Sequence, residues 1–422
     1  MIKRVVIVGA GIAGVSTALA LRARGFDGHL TLVDSGEFPY DRPPLSKDFL
    51  LGTKDTKQIA LQPQQLYDKQ QILLLNRTTV TALRPDQGAV ELMDGRLLPA
   101  DRVVLATGGR AARPPIPGVD SDRVHVLRTI DDADRLRQAL TPGARILVVG
   151  AGLIGAEVVS TAIHLGCEVL LADPINVPLT GVLGPHLATW LHALHARHHV
   201  TTKQATVKWF VGHHDRIEAW LTGEANPRSF DAVVLGVGML PSTELAQTAG
   251  LEVDRGIVVD EGNVTSNPAV LAVGDPARLR SAGVLLPRTE HWEAAQHDGV
   301  RAAATLLGTA SPKPPTPWFW TDRYHRHVEG VGHMDSAAET VIRGSFEDPS
   351  FSVFGLRDGH VVAAASVDDS GAVRAARRMI ERRIPVTADQ MADLTCNLRT
   401  LLGVPLGGTP IPPLLTEGIE KP

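Results

Sequence analysis

Apolar residues in this chain follow two patterns. Short unbroken runs end in glycine or an acid: VVIVGAG at residues 5–11, DRVVLATGG at 101–109, ARILVVGAG at 144–152, EVLLAD at 168–173 and DAVVLGVG at 231–238. Runs of this length without polar alternation suit strands buried on both faces of a parallel sheet. A further run, 29–33, ends at Asp34. Helices are predicted over 12–24, 291–307 and 372–383. Residues 71–75 and 89–92 read as strands of a small antiparallel insertion, 256–277 holds two short strands, and 351–356 and 360–367 add two more.

Proline marks the breaks. SGEFPYDRPPLSKDFLLG (35–52) can continue neither a helix nor a central strand, so a loop reaching over a neighbouring part is expected. ARPPIPG (112–118) has linker composition, SPKPPTP (311–317) is a second break, and the tail 403–422 is expected to be poorly ordered. The pattern predicts an α/β protein with two Rossmann-like dinucleotide-binding domains and a C-terminal α+β domain. The expected divisions are 1–117, 118–241, 242–316 and 317–422, the third segment returning to the first domain.

The two Rossmann-like units rest on a duplicated glycine spacing. Gly9, Gly11 and Gly14 follow the first strand as G-x-G-x-x-G, and Gly150, Gly152 and Gly155 repeat it. The first glycine permits a tight turn, the second lets a pyrophosphate approach the backbone, and the third allows close helix–strand packing. The helix behind each turn aims free N–H groups at the phosphates. Asp34 stands 20 residues after Gly14, the separation expected of a ribose-binding carboxylate, and Asp173 ends the matching strand of the second unit. Two dinucleotide sites in one chain point to a flavin and a nicotinamide held for hydride transfer.

Composition narrows the alternatives. The 422 residues carry a net charge of −4, so no overall basic field recruits nucleic acid. No apolar run is long enough to span a bilayer. Lys3 and Arg4 before an apolar stretch imitate a signal peptide, but the fingerprint glycines fall in register inside it. Cys167 and Cys396 form no C-x-x-C motif, and a cytoplasmic location is expected. His195, His198 and His199, and His213 with His214, lack acidic or cysteine co-ligands, so no metal is expected.

In chain order, GAGIAG, PYDRPPLSK, ATGG, GAGLIGAE, GVGMLP, VGDPA and PWFWTDRY resemble the FAD-dependent NADH:ferredoxin reductases that serve bacterial oxygenases and cytochromes P450. This is the group of the putidaredoxin, rubredoxin and biphenyl-dioxygenase ferredoxin reductases, and the likeness runs to about residue 402. The resemblance implies FAD on Gly9, Gly11, Ala13, Gly14 and Asp34, with Arg42 and Lys47 at the flavin. Thr107 and Gly108 would pass its ribityl–pyrophosphate region, and Asp275 would accept a ribityl hydroxyl. Val80 and Arg128 match positions near the adenine end and the flavin; Trp292 and Trp320 also match cofactor positions. Trp320 would bring its face to the isoalloxazine, simple core packing being the other reading.

For NADH the implied residues are Gly150, Gly152, Ile154, Gly155, Asp173 and Gly238, with Glu157 pairing Lys47 as the groups closest to the chemistry. Asp173 favours NADH over NADPH, because a carboxylate repels a 2′-phosphate and Pro174-Ile175-Asn176-Val177 supplies no cation. Hydride would pass to the flavin, and single electrons onward to a small acidic iron–sulfur protein, a ferredoxin or rubredoxin. Arg374, Arg378 and Arg382, every fourth residue of a predicted helix, form either a solvated face or a docking face for it. Arg323 replaces the usual Gln, Asp368 a common Asn, and His325-Arg326-His327 is unusually basic; these are expected where the partner approaches. The rival readings are a disulfide or peroxide reductase or NADH oxidase of related fold, and an NADH-responsive binding flavoprotein resembling apoptosis-inducing factor.

Overall fold

The strand Arg4–Val8 is the middle of a five-stranded, wholly parallel sheet in a computed structural model that describes residues 2–403. Its neighbours run in the order Val270–Ala272, Arg102–Leu105, Arg4–Val8, His29–Val33, Ile72–Leu75. A second parallel sheet has the order Thr201–Gln204, Glu168–Asp173, Arg145–Val149, Ala232–Leu235, Val124–Val126. In both central strands the apolar run is covered on each side: Val5, Val6 and Ile7, like Ile146, Leu147 and Val148, are at most 2% exposed. Burial on both faces is what the unbroken apolar pattern demanded.

Ile72–Leu75 departs from the expectation. It is the parallel edge of the first sheet, reached through the helix Gln64–Lys69, and only Ala89–Leu92 lies in an antiparallel insertion, between Val80–Arg84 and Leu97–Pro99. An apolar run states that a strand is buried, not which strand it pairs with; the helix before it turned the chain back in parallel.

The helix Ile12–Ala23 packs along Trp292–Leu307. They touch at Gly299, where a Cβ would come within 2.5 Å of the Ala13 carbonyl oxygen. The proline-rich loop 35–52 reaches over the second sheet's domain: Leu45, Phe49 and Leu50 enter a core with Leu127, Leu136 and Ala162. Thr161 Oγ1 donates to the Ser46 carbonyl at 2.7 Å, and Arg137 Nη2 donates to the Phe49 carbonyl at 2.8 Å. The two crossings between the sheets pair with each other, Gly109–Ala111 antiparallel to Met239–Pro241.

Residues 318–367 form a five-stranded antiparallel sheet ordered Trp318–Arg323, Arg326–Gly332, His360–Val367, Phe351–Arg357, Glu339–Arg343. The helix Ser370–Arg382 covers one face through Val373, Ala376 and Met379. The other face meets the helix Thr180–Arg197, with Leu187, Trp190 and Leu191 against Phe319, Tyr324 and Phe351. The expectation for the tail falls, from residue 404 on, outside the described residues.

Candidate active site

A cavity of about 710 Å³ opens at the carboxyl ends of the parallel strands, where open α/β sheets hold ligands. All three parts of the fold wall it. Gly11, Ala13, Arg42, Lys47, Gly108, Asp275 and Trp292 come from the first, Arg128, Gly152, Ile154, Glu157 and Gly238 from the second unit and its crossings, and Trp320 from the third. Gly9, Gly14, Asp34, Thr107, Gly150, Gly155 and Asp173 do not line it, and Val80 is packed into the core beside Val33, Leu83 and Val90.

The two fingerprints repeat each other at atomic detail. Gly9 and Gly150 have φ of +106° and +99°, and a Cβ there would lie 2.2 and 2.4 Å from the carbonyl oxygens of Ala106 and Gly236. A Cβ at Gly14 or Gly155 would lie 1.9 or 2.0 Å from the oxygen of Gly9 or Gly150. The middle glycines differ. Gly152 has nothing within 4 Å, and Gly11 meets only the end of the Arg42 side chain, at 3.0 Å. Space is therefore kept in front of the helix N-terminus at the middle glycine, where a phosphate would fit. Asp34 and Asp173 hold these turns: Asp34 accepts from the N–H of Ala10 (2.6 Å) and Gly36 (2.7 Å), Asp173 from Ala151 and Ile175 (both 2.7 Å). A carboxylate has about four acceptor sites, so each keeps room for ribose hydroxyls.

Arg42 is half-buried, and its Nε, which is buried, has no hydrogen-bond partner among the described residues. Burial first, and the neighbouring Arg128 second, pull its pKa below the ordinary value. Arg128 is neutralised by Asp275 at 2.5 Å and donates to the Gly109 carbonyl at 3.0 Å; Arg42 has no such bond among the described residues. A guanidinium with a buried, unpartnered Nε on a cavity wall suits an anion. Thr107 Oγ1 is bonded to the Ser242 carbonyl at 2.7 Å, so its side chain ties the returning chain rather than facing the cavity.

Lys47 Nζ lies 3.3 Å from Glu157 and 2.6 Å from Asp322, and 5.6 Å from the centre of the Trp320 ring. Burial opposes the ammonium, but Glu157 and Asp322 outweigh it and hold its pKa above the ordinary lysine value. Glu157 is 5% exposed and accepts from Ser46 Oγ (2.5 Å) and Thr321 Oγ1 (2.8 Å). The expected Lys47–Glu157 pair is thus present, and Asp322 is a third member that the sequence reading missed. Alternation along Trp318–Arg323 carries the signal: Asp322 shares a face with Trp320. Trp320 stacks on Trp318 at 4.9 Å and meets Trp292 edge-on at 6.3 Å; Trp292 Nε1 donates to Asp41 at 2.7 Å.

One placement differs from expectation. Arg323 is 3% exposed, without partners for Nε and Nη2 among the described residues, and faces inward, so it offers nothing to an approaching protein. Burial pushes its pKa down to about 10. Asp368 stays at the surface, where it pairs with Arg326 at 3.0 Å and accepts from the His327 N–H, tying the end of the strand His360–Val367 to its neighbour. Among the described residues no three His, Cys, Asp or Glu side chains are grouped to hold a metal; His195 instead bonds Tyr324 at 2.7 Å and His198 stacks on the same ring.

Residues 3–299 match the pyridine nucleotide-disulphide oxidoreductase family, and 318–402 match the reductase C-terminal family. The chain belongs to the pyridine nucleotide-disulphide oxidoreductases. It is 36% identical over 408 residues to putidaredoxin reductase of Pseudomonas putida, covering 94% of this chain and 96% of that one. It is 38% identical over 404 residues to the ferredoxin–NAD(+) reductase component of the Burkholderia cepacia anthranilate 1,2-dioxygenase system, covering 94% and 98%. The crystal structure of the covalent putidaredoxin reductase–putidaredoxin complex superimposes with a TM-score of 0.88 at 35% identity, over 94% and 98% of the two chains. The resemblance read from the motifs is borne out, and so are the fold class and the cofactors, FAD and NADH.

The residues present fit FAD: the open face of Gly11, the unpaired Arg42 and the aromatic wall at Trp320 suit its phosphates and its ring. The family's name includes disulphide chemistry, but neither cysteine of this oxidoreductase lines the cavity. Cys167 is buried, bonded to the Thr141 carbonyl at 3.4 Å, and burial pushes its thiol up to about 11, where little thiolate exists at neutral pH. Replacing Cys167 and Cys396 together by serine is expected to leave NADH-dependent reduction of ferricyanide within about twofold of wild type. Loss of that activity with FAD retained would restore the redox-cysteine reading. No helix among the described residues is long and apolar enough to cross a membrane.

Proposed function

We propose that this chain is an NADH-dependent ferredoxin reductase of a cytochrome P450 or Rieske-type oxygenase system, acting in the cytoplasm. One observation carries the reading: a single cavity is walled by both glycine fingerprints and by the aromatic strand of the C-terminal sheet. Bound FAD supplies the conversion from a two-electron hydride donor to one-electron acceptors. The chain positions and tunes. Gly11 and Arg42 take the flavin's pyrophosphate side, Asp34 its ribose, and Asp275 with Arg128 the ribityl chain; Gly152 and Asp173 take the corresponding parts of NADH. Lys47 stabilises the negative charge gained on reduction, and Glu157 fixes Lys47 from behind. The domain divisions after residues 117, 241 and 316 are supported by sheet membership and by the paired crossings. Purified protein with FAD is expected to reduce two molecules of a [2Fe–2S] ferredoxin per NADH. NADH consumption that goes only to oxygen or to a disulfide, with no ferredoxin reduced, would overturn this.

The helix Ser370–Arg382 supports a docking face for an acidic iron–sulfur protein. Arg374, Arg378 and Arg382 are exposed and have no ion-pair partner among the described residues, whereas Arg377 is held by Glu293 at 2.8 Å and by Glu381. Paired arginine serves the fold; unpaired arginine on one stripe leaves a field to steer a partner. Changing all three to glutamate is expected to lower kcat/KM for ferredoxin about tenfold or more at low salt and less at high salt, sparing NADH-to-ferricyanide activity. Unchanged ferredoxin kinetics at both salts would leave the stripe as a solvated surface.

A further inference from the structure

The ferredoxin-reductase reading leaves three residues unused, Asp322, His327 and Glu329, which lie in a line running outward from Lys47. Asp322 and His327 are direct cross-strand partners in the hairpin Trp318–Gly332. Lys47 Nζ donates to one oxygen of Asp322 at 2.6 Å, and the other oxygen lies 2.5 Å from His327 Nδ1. On the far side His327 Nε2 lies 2.9 Å from Glu329 Oε1, which also accepts from Ser370 Oγ at 3.0 Å. Both ring nitrogens thus face a carboxylate oxygen, and only an imidazolium can donate at both.

The charges decide what this does at the cavity. Lys47, with the buried Arg323 that acts on Glu157, meets three carboxylates, Glu157, Asp322 and Glu329, so without the histidine the group on the wall would carry a net negative charge. Such a charge opposes the gain of electrons by a neighbouring flavin. The His327 imidazolium cancels it through Asp322. Other charged groups around the ring are Arg326 and Asp368, which pair with each other at 3.0 Å, and Arg374 on the following helix, which acts on Glu329. None of these reaches Asp322.

We propose that His327 is a positioning residue for the flavin reaction: clamped between Asp322 and Glu329, it holds Asp322 on Lys47 and removes the excess negative charge beside the flavin. The proposal rests on Lys47 standing at the flavin. The pH behaviour follows from the same contacts. The bonds to Asp322 first, and to Glu329 second, raise the His327 pKa to about 9, so the charge is present at neutral pH and is lost as pH rises through about 9. Lys47, held above the ordinary lysine value, stays charged across that interval.

The test is a potentiometric titration of the FAD holoenzyme between pH 7 and 10. Removing one unit charge at a separation of about 10 Å through an effective dielectric near 20 changes an equilibrium roughly tenfold. His327→Gln is therefore expected to make flavin reduction about tenfold less favourable at pH 7, a fall of about 30 mV for the two-electron couple. The gap should close by pH 10, where wild type has lost the same charge. His327→Lys should match wild type at pH 7 and lie above it at pH 10. The comparison of wild type with His327→Lys needs no neutral variant, and a pH dependence identical in these two would overturn the proposal. Lys47→Met separates the two layers of the argument. If it shifts the potential while His327→Gln does not, the role of His327 is wrong and that of Lys47 stands; if neither shifts it, Lys47 is not at the flavin and both fall.

Discussion

Gly11→Val should give a folded but colourless protein. The added side chain meets only the Arg42 guanidinium, the far end of a flexible group, 3.0 Å from the new Cβ, so the helix–strand packing survives. What it fills is the space kept in front of the first helix for a pyrophosphate. Overpacking that position costs about 1–3 kcal/mol, and excluding a phosphate costs more, so flavin content should fall at least tenfold. The absorbance ratio of flavin to protein after purification reads this directly, and circular dichroism should stay at the wild-type level. Gly14→Val is the contrasting case. Its Cβ would sit 1.9 Å from the Gly9 carbonyl oxygen, which cannot move without breaking the turn, so this variant should lose fold and flavin together. Normal flavin content in Gly11→Val would show that the cofactor lies elsewhere.

NADH should be preferred to NADPH by roughly tenfold to over a hundredfold in kcat/KM, the range spanned by about 1.5–3 kcal/mol for a lost charged hydrogen bond. Asp173 is fixed by the N–H groups of Ala151 and Ile175, one on each carboxylate oxygen. A 2′-phosphate there meets a carboxylate with no cation in the residues that follow. Asp173→Asn removes the charge and keeps an oxygen for one of the two N–H groups. It should bring the two cofactors to within a few-fold of each other, mostly by raising KM for NADH. Asp173→Ala should narrow the gap too, with lower activity overall, because both N–H groups lose their acceptor. Equal use of the two cofactors by wild type would remove Asp173 from the ribose.

The features that were legible in the sequence are local. The glycine spacings, the acid at the end of the next strand and the unbroken apolar runs each sit within about thirty residues, and chain geometry alone relates their members. The resemblance extended this to Arg42, Lys47, Asp275 and Trp320, all of which reach the cavity wall. What could not be read is pairing over distance. Lys47 meets Asp322 across 275 positions, and no periodicity announces that contact. Ile72–Leu75 went astray for the same reason: its composition states burial but not its neighbour. Arg323 was misplaced because its motif position was carried over from the resemblance without regard to alternation along the strand. Alternation puts it on the same side as Phe319 and Thr321, which are buried.

The paired crossings between the sheets have a consequence for engineering. Gly109–Ala111 leaves the first sheet's domain and Met239–Pro241 returns beside it, with Ala111 opposite Met239 and Gly109 opposite Pro241. A segment whose entry and exit lie side by side behaves as a cassette, since excising it leaves ends that a short linker can join. The cassette is nevertheless not free-standing. Leu45, Phe49 and Leu50 of the host complete its core, and Arg137 grips the host backbone. A chimaera that exchanges residues 112–238 for another nicotinamide module would therefore need residues 43–51 to travel with it.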